Sequence, residues 1–237
     1  NVDYVVVVVD EMKRRLESIH QIQPEKITVV TNTESRDFLD QEHIADIYTR
    51  GKGDFILAYT GGVGPHRGVD VAIKSLKHIQ NPKIRLEITG HLSKDSKIWL
   101  SALAKENGVE NRVLINGYQP FHKFFSYMAY ADVNLIPHNR NGHTDNTIPH
   151  KLFQGMMVGK PVLVSDAPPL QRIVESTKSG LIFKAGSSTD FAEKIQYLYD
   201  NKAAYEQFGE NGKSETLTGS WNWETTVKSL IDLYKNL

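Results

Sequence analysis

The residues here best suited to holding an anion are Gly61, Gly62, Gly64 and Arg67, in the run TGGVGPHRG, and Lys151, two places beyond Pro149. Glycines let a backbone approach a ligand closely, and a guanidinium grips phosphate or carboxylate with two parallel hydrogen bonds. Lys151 falls in the stretch DNTIPHKLFQGMMVGKPVLVS, which reads as loop, helix and strand. Pro149 suits a first helical turn, where its missing N–H has no intrahelical partner. Leu152, Phe153, Met156 and Met157 recur at helical spacing, Gly159 predicts a left-handed stop, and residues 162–164 predict a buried strand. Unpaired amides and the helix dipole make such a helix start an anion site, drawing in Thr147 and Ile148 as well as Lys151. Most helix starts nevertheless hold only a cap and water, and the glycine run alone reads equally well as a tight turn with Arg67 in solvent. No Gly-Lys-Ser/Thr follows, so it is not a Walker A loop, and the glycine spacing misses the dinucleotide fingerprint.

Other chemistry is less well supported. Gly90 and Gly117 each close a predicted strand, and Tyr118 could stack on a base or simply cover the sheet. His138, His143, Asp145 and His150 lie close in sequence, but spacings of five and seven residues match no metal-ligand motif, and histidines in a polar loop are expected to be solvated. No metal is expected. No Gly-x-Ser-x-Gly elbow marks a serine nucleophile.

The elements that must position these residues alternate. Strands are predicted at 55–59, 84–89, 113–116, 133–137, 162–164 and 180–183, and helices at 69–79, 94–106, 122–130, 170–175, 189–200, 203–210 and 221–235. That rhythm predicts an α/β fold: an open, parallel, Rossmann-like sheet with helices on both faces and ligands beyond the carboxyl ends of its strands. Before it, residues 1–9 predict a strand, buried on both faces at 5–9, 11–19 a helix, 27–30 a second strand and 34–50 a connecting helix. With no earlier element for that first strand to pair with, the chain reads as a piece of something longer.

Composition excludes several classes. The 237 residues carry 28 Lys plus Arg against 28 Asp plus Glu, so no overall field draws nucleic acid or an anionic membrane. With no cysteine, disulfides and thiolate metal sites are excluded, which suits a reducing compartment. The longest apolar run, residues 5–9, is too short to span a bilayer. An apolar stripe of Trp221, Trp223, Val227, Leu230, Ile231 and Tyr234, with the first strand, predicts exposed surface and self-association into a homo-oligomer.

The ordered segments YTGGVGPHRGVDVAIKSL, LEITGHL, NRVLINGY, YADVNLIPH, KLFQGMMVGKPVLVSD, SGLIF and WNWETTVKSLIDLY together resemble the C-terminal donor-binding domain of family 4 (group 1) retaining glycosyltransferases of GT-B architecture. The resemblance implies a remnant of the acceptor-side domain and connection at 1–50 and a nucleotide-sugar donor-binding domain at 51–237. It implies sugar transfer from a nucleotide-diphosphate sugar with retained configuration, no cofactor, and a sugar or lipid-linked acceptor held by the missing domain. A role in polysaccharide or glycolipid assembly in the cytoplasm follows, with peripheral attachment of the whole protein at the inner face of the membrane. This piece alone is expected to be inactive without its N-terminal domain; the alternatives are a nucleotide-sugar-binding module without activity of its own, isolated or degenerate, and a nucleotide-sugar epimerase of the same architecture. Gly62 stands where the family has an arginine, Arg67 where it has a lysine, and Asn146 and Gln154 where it has two glutamates, for the donor sugar and the ribose hydroxyls. Neutral amides bind hydroxyls more weakly than carboxylates do. Asp145, beside Asn146, is the expected substitute at the sugar.

Overall fold

The computed structural model describes residues 2–236; Asn1, the expected start of the first strand, and Leu237 lie outside the described residues. The elements are β1 (Val5–Val7), α1 (Asp10–His20), β2 (Ile27–Val29), β3 (Phe55–Thr60), α2 (Val69–Ser75), β4 (Ile84–Thr89), α3 (Lys94–Glu106), β5 (Val113–Gly117), α4 (Phe124–Ala129), β6 (Val133–Ile136), α5 (His150–Met157), β7 (Val162–Ser165), α6 (Pro168–Thr177), β8 (Gly180–Phe183), α7 (Ser188–Asp200), α8 (Lys202–Leu217), α9 (Trp223–Thr226) and α10 (Lys228–Lys235). Strands β3 to β8 form one parallel sheet in the order β5-β4-β3-β6-β7-β8, as the alternation predicts. The chain leaves β3 toward β4 and β5 on one side and returns to its other side as β6. That reversal opens a crevice at the strand tips, where open α/β sheets bind ligands.

Side-chain alternation on β3 explains why its sequence is continuously apolar. Leu57 and Tyr59 enter a core with Ile73, Leu76, Leu100 and Ile195, whereas Ile56 and Ala58 enter one with Tyr48, Tyr127 and Ala131. A further core gathers Ile136, Leu152, Phe153, Met156, Val164, Leu170 and Ile173, and Val9 joins it.

The N-terminal unit departs from expectation. Strand β1 covers only residues 5–7, pairs with β2 in a separate two-stranded sheet, and leaves Val6 45% exposed. Val9 is fully buried, but as the residue preceding α1, packed against the large domain. Arg172 on α6 fastens the unit further, with a bidentate pair to Glu11.

Residues 34–50 form no connecting helix, only a short 3-10 turn at Arg36–Asp40. Tertiary contacts override helix propensity here. Phe38 packs on Phe125 and Met157, Tyr48 donates to the Tyr127 carbonyl, and the Ser126 hydroxyl both receives the Ile44 amide and donates to the Glu42 carbonyl. Two of the segment's backbone groups are thus satisfied by Ser126 of α4 instead of by a helical ladder. The predicted last helix is broken at Val227 into α9 and α10. Trp221 stacks on Phe153 with ring centroids 5.8 Å apart, so part of the expected exposed stripe is covered, while Ile231 and Tyr234 remain exposed.

Candidate functional site

Residues 61–68 leave the tip of β3 and are tied down on two sides. The Gly61 amide donates to the Thr89 carbonyl (2.8 Å) and the Val63 amide to His91 (2.9 Å), while Asn139 reaches the His66 and Pro65 carbonyls from beyond β6. Gly90 makes the first junction feasible: at φ +143° it lies so close that an added Cβ would sit 2.1 Å from the Gly61 oxygen. The turn is therefore rigid, and it forms one wall of a cavity of about 490 Å3.

Helix α5 forms the opposite wall. Pro149 is its N-cap, in an extended conformation (φ −85°, ψ 142°), so the helix starts one residue later than the sequence predicts. A proline offers no capping oxygen, and no side chain caps this end. The first amides of α5 consequently open into the cavity that Pro149, His150 and Lys151 line.

Two cations face that space. The Lys151 ammonium rests 3.7 Å above the Tyr59 ring centroid, held by the ring's electron-rich face. Burial, then the nearby Arg67 charge, lowers its pKa well below the ordinary lysine range. Arg67 Nη1 lies 3.2 Å from His138 Nε2. A guanidinium can only donate, so Nε2 accepts and the histidine proton belongs on Nδ1, which has no partner among the described residues. Contrary to the solvated histidine expected from the polar loop, His138 is 1% exposed, because the chain leaving β6 passes beneath residues 61–68. Burial and the charges of Lys151 and Arg67 push its pKa down to about 2, so it stays neutral. No carboxylate pairs with Arg67 or Lys151 among the described residues. A half-buried guanidinium beside an amine poised to take up a proton, neither with a carboxylate partner among the described residues, is suited to binding an anion.

A carboxylate does line the cavity elsewhere. Glu34, in the segment after β2, accepts from the Gln154 side chain (2.6 Å) and from the Ser35 amide (3.1 Å), with His150 Nδ1 at 3.5 Å. Burial raises its pKa, but these hydrogen bonds outweigh that and lower it overall, so it is ionised. Phe121 and Phe124 add an aromatic wall.

Of the residues singled out in the sequence, Gly61, Gly62, Arg67, Lys151 and Gln154 come together on the cavity. Gly90 supports it from behind. Gly117 ends β5, where its carbonyl receives the Gly90 amide, and Tyr118 beyond it is 71% exposed and outside the lining. Ile148 is buried in the core and the Thr147 hydroxyl donates to the His143 carbonyl. Asn146 donates to the Gly142 carbonyl, and Asp145 is held by Arg140 at 2.8 and 3.0 Å, so neither side chain lines the cavity. Glu34, Phe121, Phe124 and His150 were not read as ligand residues. The spacing of Phe121 and Phe124 behind a strand-end glycine was a usable signal; Glu34, in a plain polar run, offered none.

The described residues contain no group of three or more acidic, histidine or cysteine side chains able to hold a metal, and none of their helices is long and apolar enough to cross a membrane.

Known proteins resemble this chain in sequence and in fold. The chain is 25% identical to the uncharacterized glycosyltransferase MJ1178 of Methanocaldococcus jannaschii over 193 residues, 81% of this chain and 50% of that protein. It is 21% identical to D-inositol 3-phosphate glycosyltransferase of Stackebrandtia nassauensis over 231 residues, 92% of this chain and 51% of that protein. The chain thus spans about half the length of these curated relatives. Its fold is similar to that of a glycosyltransferase from Rickettsia africae (TM-score 0.84, 14% identity, 99% of this chain and 63% of that one). It is also similar to that of Anabaena Alr3699/HepE in complex with UDP-glucose (TM-score 0.80, 15% identity, 100% and 64%). The family described as glycosyl transferases group 1 matches residues 40–215, well over half of the sequence, and the chain belongs to that family.

Proposed function

We propose that this chain is the donor-binding part of a retaining glycosyltransferase that moves a sugar from a nucleotide-diphosphate sugar to a sugar or lipid-linked acceptor. In this reading residues 51–237 hold the donor and residues 1–50 belong to the acceptor side and the connection. The observation that carries it is that Arg67, Lys151 and the start of α5 line one cavity at the reversal of strand order, the two basic side chains having no carboxylate partner among the described residues. A diphosphate placed there meets two cations and a row of amides. As the glycosidic bond breaks, negative charge grows on the departing diphosphate, and donors already aimed at it stabilise that charge without rearranging. Phe121 and Phe124 offer the base an apolar wall.

Asp145 and Asn146 bear on the chemistry itself. Their side chains engage Arg140 and the Gly142 carbonyl, which supports a chain that binds donor but needs the rest of the protein for turnover. Assembly of polysaccharide or glycolipid at the cytoplasmic face of a membrane, and pairing of copies through exposed Val6, Ile231 and Tyr234, extend the same reading.

The test is a thermal-shift panel of uridine, guanosine and adenosine diphosphates and their sugar conjugates, because a ligand that binds the folded state raises its melting point. Uridine compounds come first, since the Anabaena protein was solved with UDP-glucose. One nucleotide series should raise the melting point of the wild type and fail to do so in Arg67→Ala. A panel without any shift refutes the reading.

A further inference from the structure

The cavity is lined by Arg67 and Lys151 and also by the ionised carboxylate of Glu34. We propose that Glu34, delivered from the connection after β2, is a ligand-reading residue that accepts hydrogen bonds from the ribose hydroxyls of the nucleotide, with Gln154 positioning it. The proposal rests on the diphosphate reading above.

Three observations carry it. Glu34 lines the cavity; its Oε2 accepts from Gln154 with His150 Nδ1 at 3.5 Å, and its Oε1 accepts from the Ser35 amide, which leaves acceptor capacity on Oε1. His150 and Gln154 stand one turn apart on the same face of α5, about 6 Å along its axis. A group bound beside Glu34 therefore lies one turn from whatever meets the first amides of the helix. In a nucleoside diphosphate the pentose is the first group reached from the phosphates toward the base. Finally, Glu34 is held in place by the far end of the chain. The Trp223 amide donates to the Glu34 carbonyl (2.9 Å), the Thr33 and Thr226 hydroxyls meet at 2.7 Å, and Glu224 accepts from the Ser35 hydroxyl and the Arg36 amide. A carboxylate braced this way on both flanks is pre-organised for a ligand, and it reads donors, not anions.

Calorimetric titration of wild type, Glu34→Gln and Glu34→Ala tests this with uridine, guanosine and adenosine diphosphates, each beside its 2′-deoxy form, and with inorganic pyrophosphate. The wild type should favour the preferred ribonucleotide over its 2′-deoxy form by on the order of tenfold. Glu34→Ala should erase that preference while leaving pyrophosphate affinity unchanged, and Glu34→Gln should retain part of it. Circular dichroism melts verify folding of both variants. A preference preserved in Glu34→Ala, or a wild type indifferent to the 2′-hydroxyl, overturns the role of Glu34 and leaves the diphosphate reading standing. A wild type that binds neither nucleotides nor pyrophosphate overturns both.

Discussion

Lys151 should take up a proton when a diphosphate binds. In the free protein, burial and Arg67 lower its pKa well below the ordinary lysine value, and the Tyr59 face returns only about 0.5–2 kcal/mol to the charged form. A phosphate oxygen about 4 Å away adds roughly 4 kcal/mol of attraction per charge at an effective dielectric of 20. That attraction favours the charged form and so raises the lysine pKa in the complex. Between the free and bound values, binding therefore draws in up to one proton and the dissociation constant rises with pH. Titration calorimetry from neutral to alkaline pH, in buffers of different ionisation enthalpy, reads this uptake directly. In that range the diphosphate has completed its own ionisation near pH 6, His138 is neutral, and His66, whose pKa is lowered by burial and by Arg67, is neutral too. Lys151→Met should abolish the buffer dependence. The same shift sets stability. The unfolded chain keeps the lysine proton where the folded protein has lost it, so the free protein gains stability as pH rises from the folded lysine pKa toward the unfolded one. Lys151→Met should flatten that rise and raise the melting point at pH 7. Binding enthalpies independent of buffer throughout the window would falsify this account of the cation.

Lys151→Ala should weaken nucleoside-diphosphate binding at least as much as Arg67→Ala, each by about tenfold or more, in side-by-side titrations; an inert Lys151 removes it from the clamp. Gly90→Ala forces a side chain into the Gly61 carbonyl at a positive φ and should cost about 2 kcal/mol or more in denaturant unfolding. A wild-type midpoint would mean that the junction of the two loops is soft. Asp145→Asn loosens only a partly exposed pair with Arg140, so stability should change by less than about 1 kcal/mol and nucleotide affinity by nothing measurable. A marked loss of affinity would place Asp145 at the ligand after all.

The local pattern of this sequence determined the sheet. Runs such as FILAYT and VLVS are apolar on both faces, glycine or a turn follows each, and helices of 3.6-residue period separate them, which leaves parallel strands and crossovers as the economical arrangement. The same local logic marked Gly61, Gly62, Arg67 and Lys151, because close approach, fixed charge and a helix start are properties of a few adjacent residues, whereas Gln154 was marked only by the family resemblance. Tertiary structure alone decided the rest. Residues 34–50 lost their expected helix to α4, since Phe38 and Tyr48 gain more from packing than a helix would return. His138 became a buried neutral acceptor for Arg67, and Glu34 met Gln154 across 120 positions of sequence. Such pairings depend on which surfaces the folded chain presses together. No spacing rule along the chain carries that information.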